Sequence, residues 1–237
     1  MAVQYTFARV EKKYFLTPAQ KQQLLSLLDK YTEEDAFPRS TVYSLYYDTP
    51  TFELIRHSAG RPVYKEKLRL RSYGVPGEES PVFLEVKKKC QGVVYKRRIR
   101  LPLVEARGYL QQGVPPENEG QIFREIDWFV RHRPQLRPVA LIACDRLALA
   151  GCENPNLRIT FDEHIRWREE ALDLAEDAPM TPLCPGRILM EIKIPGAAPL
   201  WLCRLLSQMQ LYPVTFSKYG TCYRDTLLPE NFERMAN

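Results

Sequence analysis

Alternation of apolar and polar residues is the main pattern along the chain, and it predicts a strand-rich protein. In the segment 63–73, for example, Leu68 and Leu70 alternate with charged residues, so one face is apolar and the other is charged. Strands are expected at 3–16, 41–48, 63–73, 82–90, 93–101, 138–149, 157–168 and 187–194. Helices are expected at 17–31, 103–112, 119–132, 199–209 and 217–227. Helices therefore separate groups of strands.

The order of these elements predicts one α+β domain over residues 1–237. Gln91-Gly92 has the form of a tight turn that joins two strands into a hairpin. Thr17, Pro18 and Gln20 have the form of a capping box at the start of the first helix. Since helices do not alternate regularly with single strands, we do not expect a parallel doubly wound sheet.

Composition narrows the class of protein without identifying a function. A net charge of +5 is only mildly basic and argues against a nucleic-acid partner, which would also need exposed stacking aromatics on the cationic face. No apolar run approaches the roughly 20 residues of a membrane span, and no secretory leader is evident, so a cytoplasmic protein is expected. The six Cys show no C-x-x-C spacing and the three His are far apart, which disfavours a zinc site.

Positive charge is concentrated on one face of the expected strands. The cations on these faces are Arg9, Lys13, Lys65, Lys67, Arg69, Arg71, Lys87, Lys89, Lys96, Arg98, Arg100, Arg158 and Lys193. The acids on the same faces are Glu11, Glu85, Asp162 and Glu191. Their net charge exceeds the +5 of the whole chain. A solvated sheet face would normally mix charges, because like charges on neighbouring strands repel. A polyanionic ligand would supply the missing counter-charge.

The motif E-x-K occurs three times on these faces, at Glu11/Lys13, Glu85/Lys87 and Glu191/Lys193. Lys and Arg donate to phosphate oxygens, whereas Mg²⁺ or Mn²⁺ takes one or two carboxylates together with phosphate oxygens. The mixture therefore suits a metal–polyphosphate complex. Ser217-Lys218 opens the last expected helix, where free N–H groups favour an anion, although on its own the pair is better explained as a simple Ser cap.

An ordered set of short motifs carries a resemblance to a known family. The motifs are R-x-E-x-K-Y at 9–14, YSLYYD at 43–48, KLRLR-x-YG at 67–74, FLEVK at 83–87, DR at 145–146, RITFD at 158–162, EIK at 191–193 and SKY at 217–219. Together they resemble the VTC domain, the polyphosphate polymerase domain of the vacuolar transporter chaperone family. That domain belongs to the triphosphate tunnel metalloenzyme (CYTH-like) superfamily.

The resemblance implies an antiparallel eight-stranded β-barrel tunnel with flanking helices. It implies transfer of the γ-phosphate of ATP to a growing inorganic polyphosphate chain, with Mn²⁺ or Mg²⁺ as cofactor. The residues that would act in catalysis are Lys67, Arg69, Arg71, Lys87, Lys193 and Glu191. Those that would bind phosphate are Lys13, Lys65, Lys89, Lys96, Arg98, Arg146, Arg158, Ser217 and Lys218. The metal would be held by Glu191, with Glu11 and Glu85 in support.

One departure from the superfamily pattern bears on the activity. The hydrolytic and cyclase branches begin with E-x-E-x-K, and Arg9 stands at the first of these positions. This favours a polymerase, while a triphosphatase of the same fold and a non-catalytic polyphosphate-binding module stay open as alternatives. The chain shows no phosphate-sensing domain and no membrane segment, so any regulation and product translocation would come from other proteins, a membrane partner among them.

Overall fold

A computed structural model describes residues 9–60, 62–91, 93–117 and 120–228. Residues 3–8 of the first expected strand and Gly92 of the expected hairpin turn lie outside the described residues, as does the side chain of Arg9. Among the described residues, no helix is long and apolar enough to cross a membrane.

The secondary structure follows the predicted order of strands and helices closely. The strands are β1 (Arg9–Leu16), β2 (Thr32–Asp48), β3 (Tyr64–Tyr73), β4 (Pro81–Cys90), β5 (Val93–Pro102), β6 (Arg137–Gly151), β7 (Arg158–Arg168), β8 (Thr181–Pro182) and β9 (Ile188–Pro195). The helices are α1 (Pro18–Leu28), α2 (Glu53–Ala59), α3 (Leu103–Gln112), α4 (Gln121–Arg131), α5 (Leu200–Gln208) and α6 (Lys218–Cys222). A π-helical turn, Tyr223–Leu227, follows α6.

The strands form one antiparallel sheet with flanking helices, which confirms the predicted α+β class. Its hydrogen-bonded order is β1-β9-β7-β6-β2-β3-β4-β5, and the two-residue strand β8 pairs with β7. The main path thus has the eight strands that were expected, and β8 is a ninth. In the described residues this path is open, with β1 at one end and β5 at the other, rather than a closed ring.

The chain folds into two compact units, each with its own core. The first unit contains the chain up to Thr41 together with Cys144–Ile165 and Cys184–Phe216. Its core packs α1 and α5 against the apolar faces of β1, β7 and β9, with Leu24 and Leu28 almost fully buried. Burial of this apolar area is the main term that stabilises the unit.

The second unit contains Val42–Ala143, Arg166–Leu183 and the chain from Ser217 onward. Its core packs α3 and α4 against the apolar faces of β3 and β4, where Leu68 and Leu84 are fully buried. Because successive side chains of a strand point to opposite faces, burying these leucines turns the Lys and Arg of both strands to the other face.

Strand β2 begins nine residues before the predicted strand at 41–48. Residues 32–40 are rich in acids and contain Pro38, a composition that disfavours strands. β2 pairs with β3 through Val42–Tyr47, so Pro38 lies outside that ladder. Proline is tolerated there because it removes no hydrogen bond from the pairing with β3.

Helix α2 was not predicted, because its cap is not next to it in sequence. Phe52 precedes the helix in a left-handed conformation with φ 56°, and its side chain makes no cap hydrogen bond. Instead, the Asp48 carboxylate accepts from the backbone N–H groups of Leu54 and Ile55 at 2.9 and 3.0 Å. A search for Ser, Thr, Asp or Asn directly before a helix misses such a distant cap.

Candidate functional site

The charged faces of β3, β4 and β5 align into one row of cations in the second unit. We call this set the cation row; its members are Lys65, Lys67, Arg69, Arg71, Lys87, Lys89, Lys96 and Arg98. All eight were predicted as site residues from the sequence. The strand register therefore brings together residues that are up to 33 positions apart in the chain.

Like charges lie directly opposite one another along this row. Lys67 is the register partner of Lys87, which is in turn opposite Lys96 on β5. Lys65 is opposite Lys89 in the same way. Like-charged cross-strand neighbours disfavour a sheet, and an anion bound along the row would reduce the repulsion between them.

Glu85 is the acid at the centre of the row, and it is 1% exposed. Its carboxylate contacts Arg69 at 2.6 Å, Lys96 at 2.6 Å and Arg98 at 3.2 Å. Burial alone would raise the pKa of Glu85, but the nearby cations outweigh burial and hold that pKa well below its ordinary value. Burial lowers the pKa of Lys96 to about 8, although Glu85 opposes this shift. The ionised carboxylate of Glu85 therefore contacts three cations at once and restricts their positions.

Two residues of β2 extend the row and were not predicted as site residues. The Tyr46 hydroxyl accepts from Arg69 at 3.4 Å, and the Ser44 hydroxyl accepts from Arg71 at 3.3 Å. Burial would raise the pKa of Tyr46, but Arg69 and Arg71 outweigh it and the net shift is downward. Their position on the same strand face could have been inferred only from the pairing of β2 with β3.

The segment that begins at Ser217 is anchored to the same row. Lys67 Nζ donates to Ser217 Oγ at 2.7 Å, and Ser217 also caps α6 by accepting from Gly220 N. Tyr219 stacks on Tyr46 with ring centroids 4.7 Å apart. The Ser217 cap and the phosphate role predicted for Ser217 are thus compatible, because the cap lies beside a lysine of the row.

Asp48 holds this arrangement in place. It is fully buried and accepts from the Tyr219 hydroxyl at 2.9 Å while it caps α2. The neighbouring Lys218 is one of the charges that lower the pKa of Tyr46, so it lies near the row as well. Because α6 has only five residues, its dipole contributes little to anion binding.

In the first unit, two E-x-K motifs pair across antiparallel strands. We call Glu11, Lys13, Glu191 and Lys193 the Lys13 cluster. Glu11 is opposite Lys193, and Lys13 is opposite Glu191. Lys13 Nζ lies 3.2 Å from Glu191, 3.6 Å from Glu11 and 2.9 Å from the carbonyl oxygen of Phe216. Glu191 also lies 3.1 Å from Lys193. Cations and carboxylates are balanced here, unlike in the cation row.

Two further predicted phosphate ligands, Arg146 and Arg158, lie in the first unit, and each has an acidic partner. Arg146 donates two hydrogen bonds to the fully buried Asp162, at 2.6 and 2.8 Å. Arg158 forms an ion pair with Asp35. Next to Glu191 in register lies Thr160, whose buried hydroxyl has no hydrogen-bond partner among the described residues.

The carboxylates predicted as metal ligands suit a metal ion that protein and substrate phosphates bind together. They suit a metal ion bound by the protein alone less well. Within the described part of the chain, no group of three or more His, Cys, Asp or Glu could hold a metal ion. Glu11 and Glu191, however, flank Lys13 as a pair of carboxylates. Mg²⁺ typically takes one or two carboxylates and completes its shell with water and substrate phosphates. Glu85 is less suited, since the cations around it would repel a metal ion.

The sequence and the fold were compared with known proteins. The VTC domain family matches residues 8–227, which is nearly the whole chain. No functionally curated protein matches the sequence.

Three solved structures with similar folds are distant in sequence. A candidate adenylate cyclase from Bacillus halodurans is 14% identical with a TM-score of 0.56, over 90% of this chain and 96% of that one. One from Vibrio parahaemolyticus is 16% identical with a TM-score of 0.53, over 92% and 98%. A candidate adenylyl cyclase from Hippeastrum with a dominant triphosphatase activity is 15% identical with a TM-score of 0.56, over 92% and 95%. At these identities the likeness shows a shared fold.

Proposed function

The chain belongs to the VTC domain family, and on this premise we propose that it is a polyphosphate polymerase. It would transfer the γ-phosphate of ATP to a growing inorganic polyphosphate chain, with Mn²⁺ or Mg²⁺ as cofactor. The observation that carries the proposal is the cation row, in which Lys67, Lys87 and Lys96 oppose one another across three strands. An extended polyanion matches an extended row of cations better than a compact anion does.

The row offers the donors that a phosphate chain needs. Arg69 and Arg71 are held in place by Glu85, Tyr46 and Ser44, so their guanidinium groups are ordered before substrate binds. Ordered donors lose little conformational freedom on binding, and this increases affinity. Lys65, Lys67, Lys87 and Lys89 continue the row and would neutralise further phosphates.

Phosphoryl transfer on such a row needs no protein nucleophile. The terminal phosphate of the acceptor chain is already ionised at neutral pH and attacks the γ-phosphorus in line. The bond from that phosphorus to the β-phosphate oxygen breaks, and ADP leaves. Catalysis then depends on positioning and on stabilising the charge of the transition state. These are tasks for the Lys and Arg of the row.

Glu11 and Glu191 are the residues that would hold the divalent metal. A bound metal would supply additional positive charge to the phosphate oxygens during transfer. Lys13 lies within 3.6 Å of Glu11 and 3.2 Å of Glu191, so it is placed to contact a phosphate oxygen of a substrate that binds at these carboxylates.

A triphosphatase is the second candidate function. The Hippeastrum protein, which shares this fold, has a dominant triphosphatase activity. The two candidates use the same cations and differ in whether phosphate or water accepts the γ-phosphoryl group.

Product analysis tests the proposal. Purified protein is incubated with ATP and Mn²⁺ or Mg²⁺, and the phosphate products are separated by size on a gel. Long-chain polyphosphate that is absent with Lys67→Met and present with Lys88→Met supports the polymerase. Lys88 is a suitable control because it lies on β4 but pairs with Glu66 on the opposite face. ADP and orthophosphate alone indicate the triphosphatase, and binding without turnover indicates a non-catalytic module.

A further inference from the structure

Two aromatic rings and a guanidinium group lie together at one end of the cation row. The Arg98 guanidinium is 3.5 Å from the centre of the Phe83 ring and 5.9 Å from that of Tyr73. The two rings meet edge to face, with centroids 5.8 Å apart. Arg98 also donates to the Tyr73 hydroxyl at 3.5 Å. We call Tyr73, Phe83 and Arg98 the aromatic end of the row.

The aromatic end continues the same strand face as the cations. Phe83 is the register partner of Arg71, and Tyr73 follows Arg71 by two residues on β3. A step of two residues along a strand is about 6.6 Å, so Tyr73 lies one step beyond the last cation of β3. A ligand with phosphates on Arg69 and Arg71 would therefore place its next chemical group beside Tyr73.

The exposure of Tyr73 distinguishes this cluster from ordinary core packing. Tyr73 is 47% exposed, while the apolar residues on the other face of β3 are buried. Burial would raise the pKa of Tyr73, but Arg71 and Arg98 outweigh it and the net shift is downward. This shift is consistent with guanidinium groups close to the ring. Tyr73 is thus an exposed ring that Arg98 and Phe83 contact, and it offers a flat surface for stacking.

We infer that the aromatic end binds the base of a nucleoside triphosphate whose phosphates lie on the cation row. This rests on the proposed function and adds to it where the nucleoside of the donor binds, namely at Tyr73, Phe83 and Arg98. Bases stack on aromatic rings and on arginine planes, and such stacking tolerates different bases because each has a flat π-face. The donor site would therefore accept ATP and GTP with similar affinity.

Binding calorimetry with ATP and with inorganic tripolyphosphate tests the inference, because the two ligands share the phosphates and differ in the nucleoside. Tyr73→Ala is expected to weaken ATP binding by about 5- to 100-fold and to leave tripolyphosphate binding unchanged. Tyr73→Phe keeps the ring and should retain ATP affinity. Tyr95→Ala is the matched control, since Tyr95 is 41% exposed on β5, which pairs with β4, but lies on the opposite face.

These binding measurements distinguish a failure of the base site from a failure of the proposed function. Equal loss of ATP and tripolyphosphate affinity in Tyr73→Ala, or no loss of either, overturns the base site and leaves the phosphate row intact. A wild-type protein that binds neither ligand contradicts the proposed function itself. A loss of ATP affinity in Tyr95→Ala as large as that in Tyr73→Ala also overturns the base site.

Discussion

The Lys13 cluster and the cation row use the same residue types in different proportions. In the Lys13 cluster, Glu11 and Glu191 balance Lys13 and Lys193. In the cation row, Glu85 forms ion pairs with three cations, and further lysines lie opposite one another in register. Balanced carboxylates suit a metal ion, whereas an excess of cations suits a polyanion. An E-x-K motif therefore does not have one fixed role, because the neighbouring strand decides what its carboxylate contacts.

Replacing Glu85 is expected to have the largest effect, because it should lower the free energy of unfolding more than replacing another acid of these strands. Glu85→Gln leaves Arg69, Lys96 and Arg98 without their shared counter-charge, and we expect a loss of about 3 kcal/mol in the free energy of unfolding. Denaturant titration measures it. Glu11→Gln is the control and should cost less than about 1 kcal/mol, because this partly exposed carboxylate is screened by water. Similar losses in both variants would contradict the distinction.

Removing a carboxylate of the Lys13 cluster should affect activity more than stability. Glu191→Gln is expected to lower metal-dependent turnover by at least about 100-fold, because a direct metal ligand matters at least as much as the groups that orient ligands. Steady-state assays at rising Mn²⁺ concentration measure it, and excess metal should restore part of the activity. Wild-type turnover in this variant would exclude Glu191 as a metal ligand.

Single lysines of the row should affect binding more than stability. Lys87→Met is expected to weaken tripolyphosphate binding about tenfold, the effect of one lost charge-assisted hydrogen bond. It should change the free energy of unfolding by less than about 1 kcal/mol, because a partly exposed charge is screened by water. Lys88→Met removes the contact with Glu66 instead, so it should keep affinity and lose a little stability. Calorimetry and denaturant titration compare the two variants.

The smallest expected effect is a pH dependence that arises from Lys96. Burial lowers its pKa to about 8, so its charge is lost as the pH rises through that value. An anion binds better to the protonated lysine, and affinity should therefore fall above pH 8. Lys96→Arg keeps the charge, so the ratio of variant to wild-type tripolyphosphate affinity should rise between pH 7 and 9. A constant ratio would contradict a titrating Lys96 in the row.

Much of the fold was predictable because local pattern and tertiary packing agree. Alternation at 63–73, 82–90 and 93–101 predicts β3, β4 and β5 nearly to the residue. The same alternation assigns the Lys and Arg of these strands to one face, and the register confirms that they lie together. The functional roles assigned to them stay predictions.

What the sequence could not show depends on contacts between distant segments. Asp48 caps α2 from outside the helix, and Ser44 and Tyr46 join the row only because β2 pairs with β3. In the first unit, Arg146 and Asp162 are 16 residues apart, and Arg158 and Asp35 are 123 apart. Strand alternation gives the face of a side chain but not its partner, so these pairs could not be predicted.

The affinity for inorganic polyphosphate tests most directly whether the cation row on β3, β4 and β5 binds a polyanion. Calorimetry compares the wild type with Lys67→Met/Lys87→Met and with the control Lys88→Met/Arg97→Met, which removes two cations from the opposite face of β4 and β5. We expect a loss of about 100-fold in the first variant and wild-type affinity in the control. Equal losses in both would show attraction by overall charge, and would contradict a binding face on β3, β4 and β5.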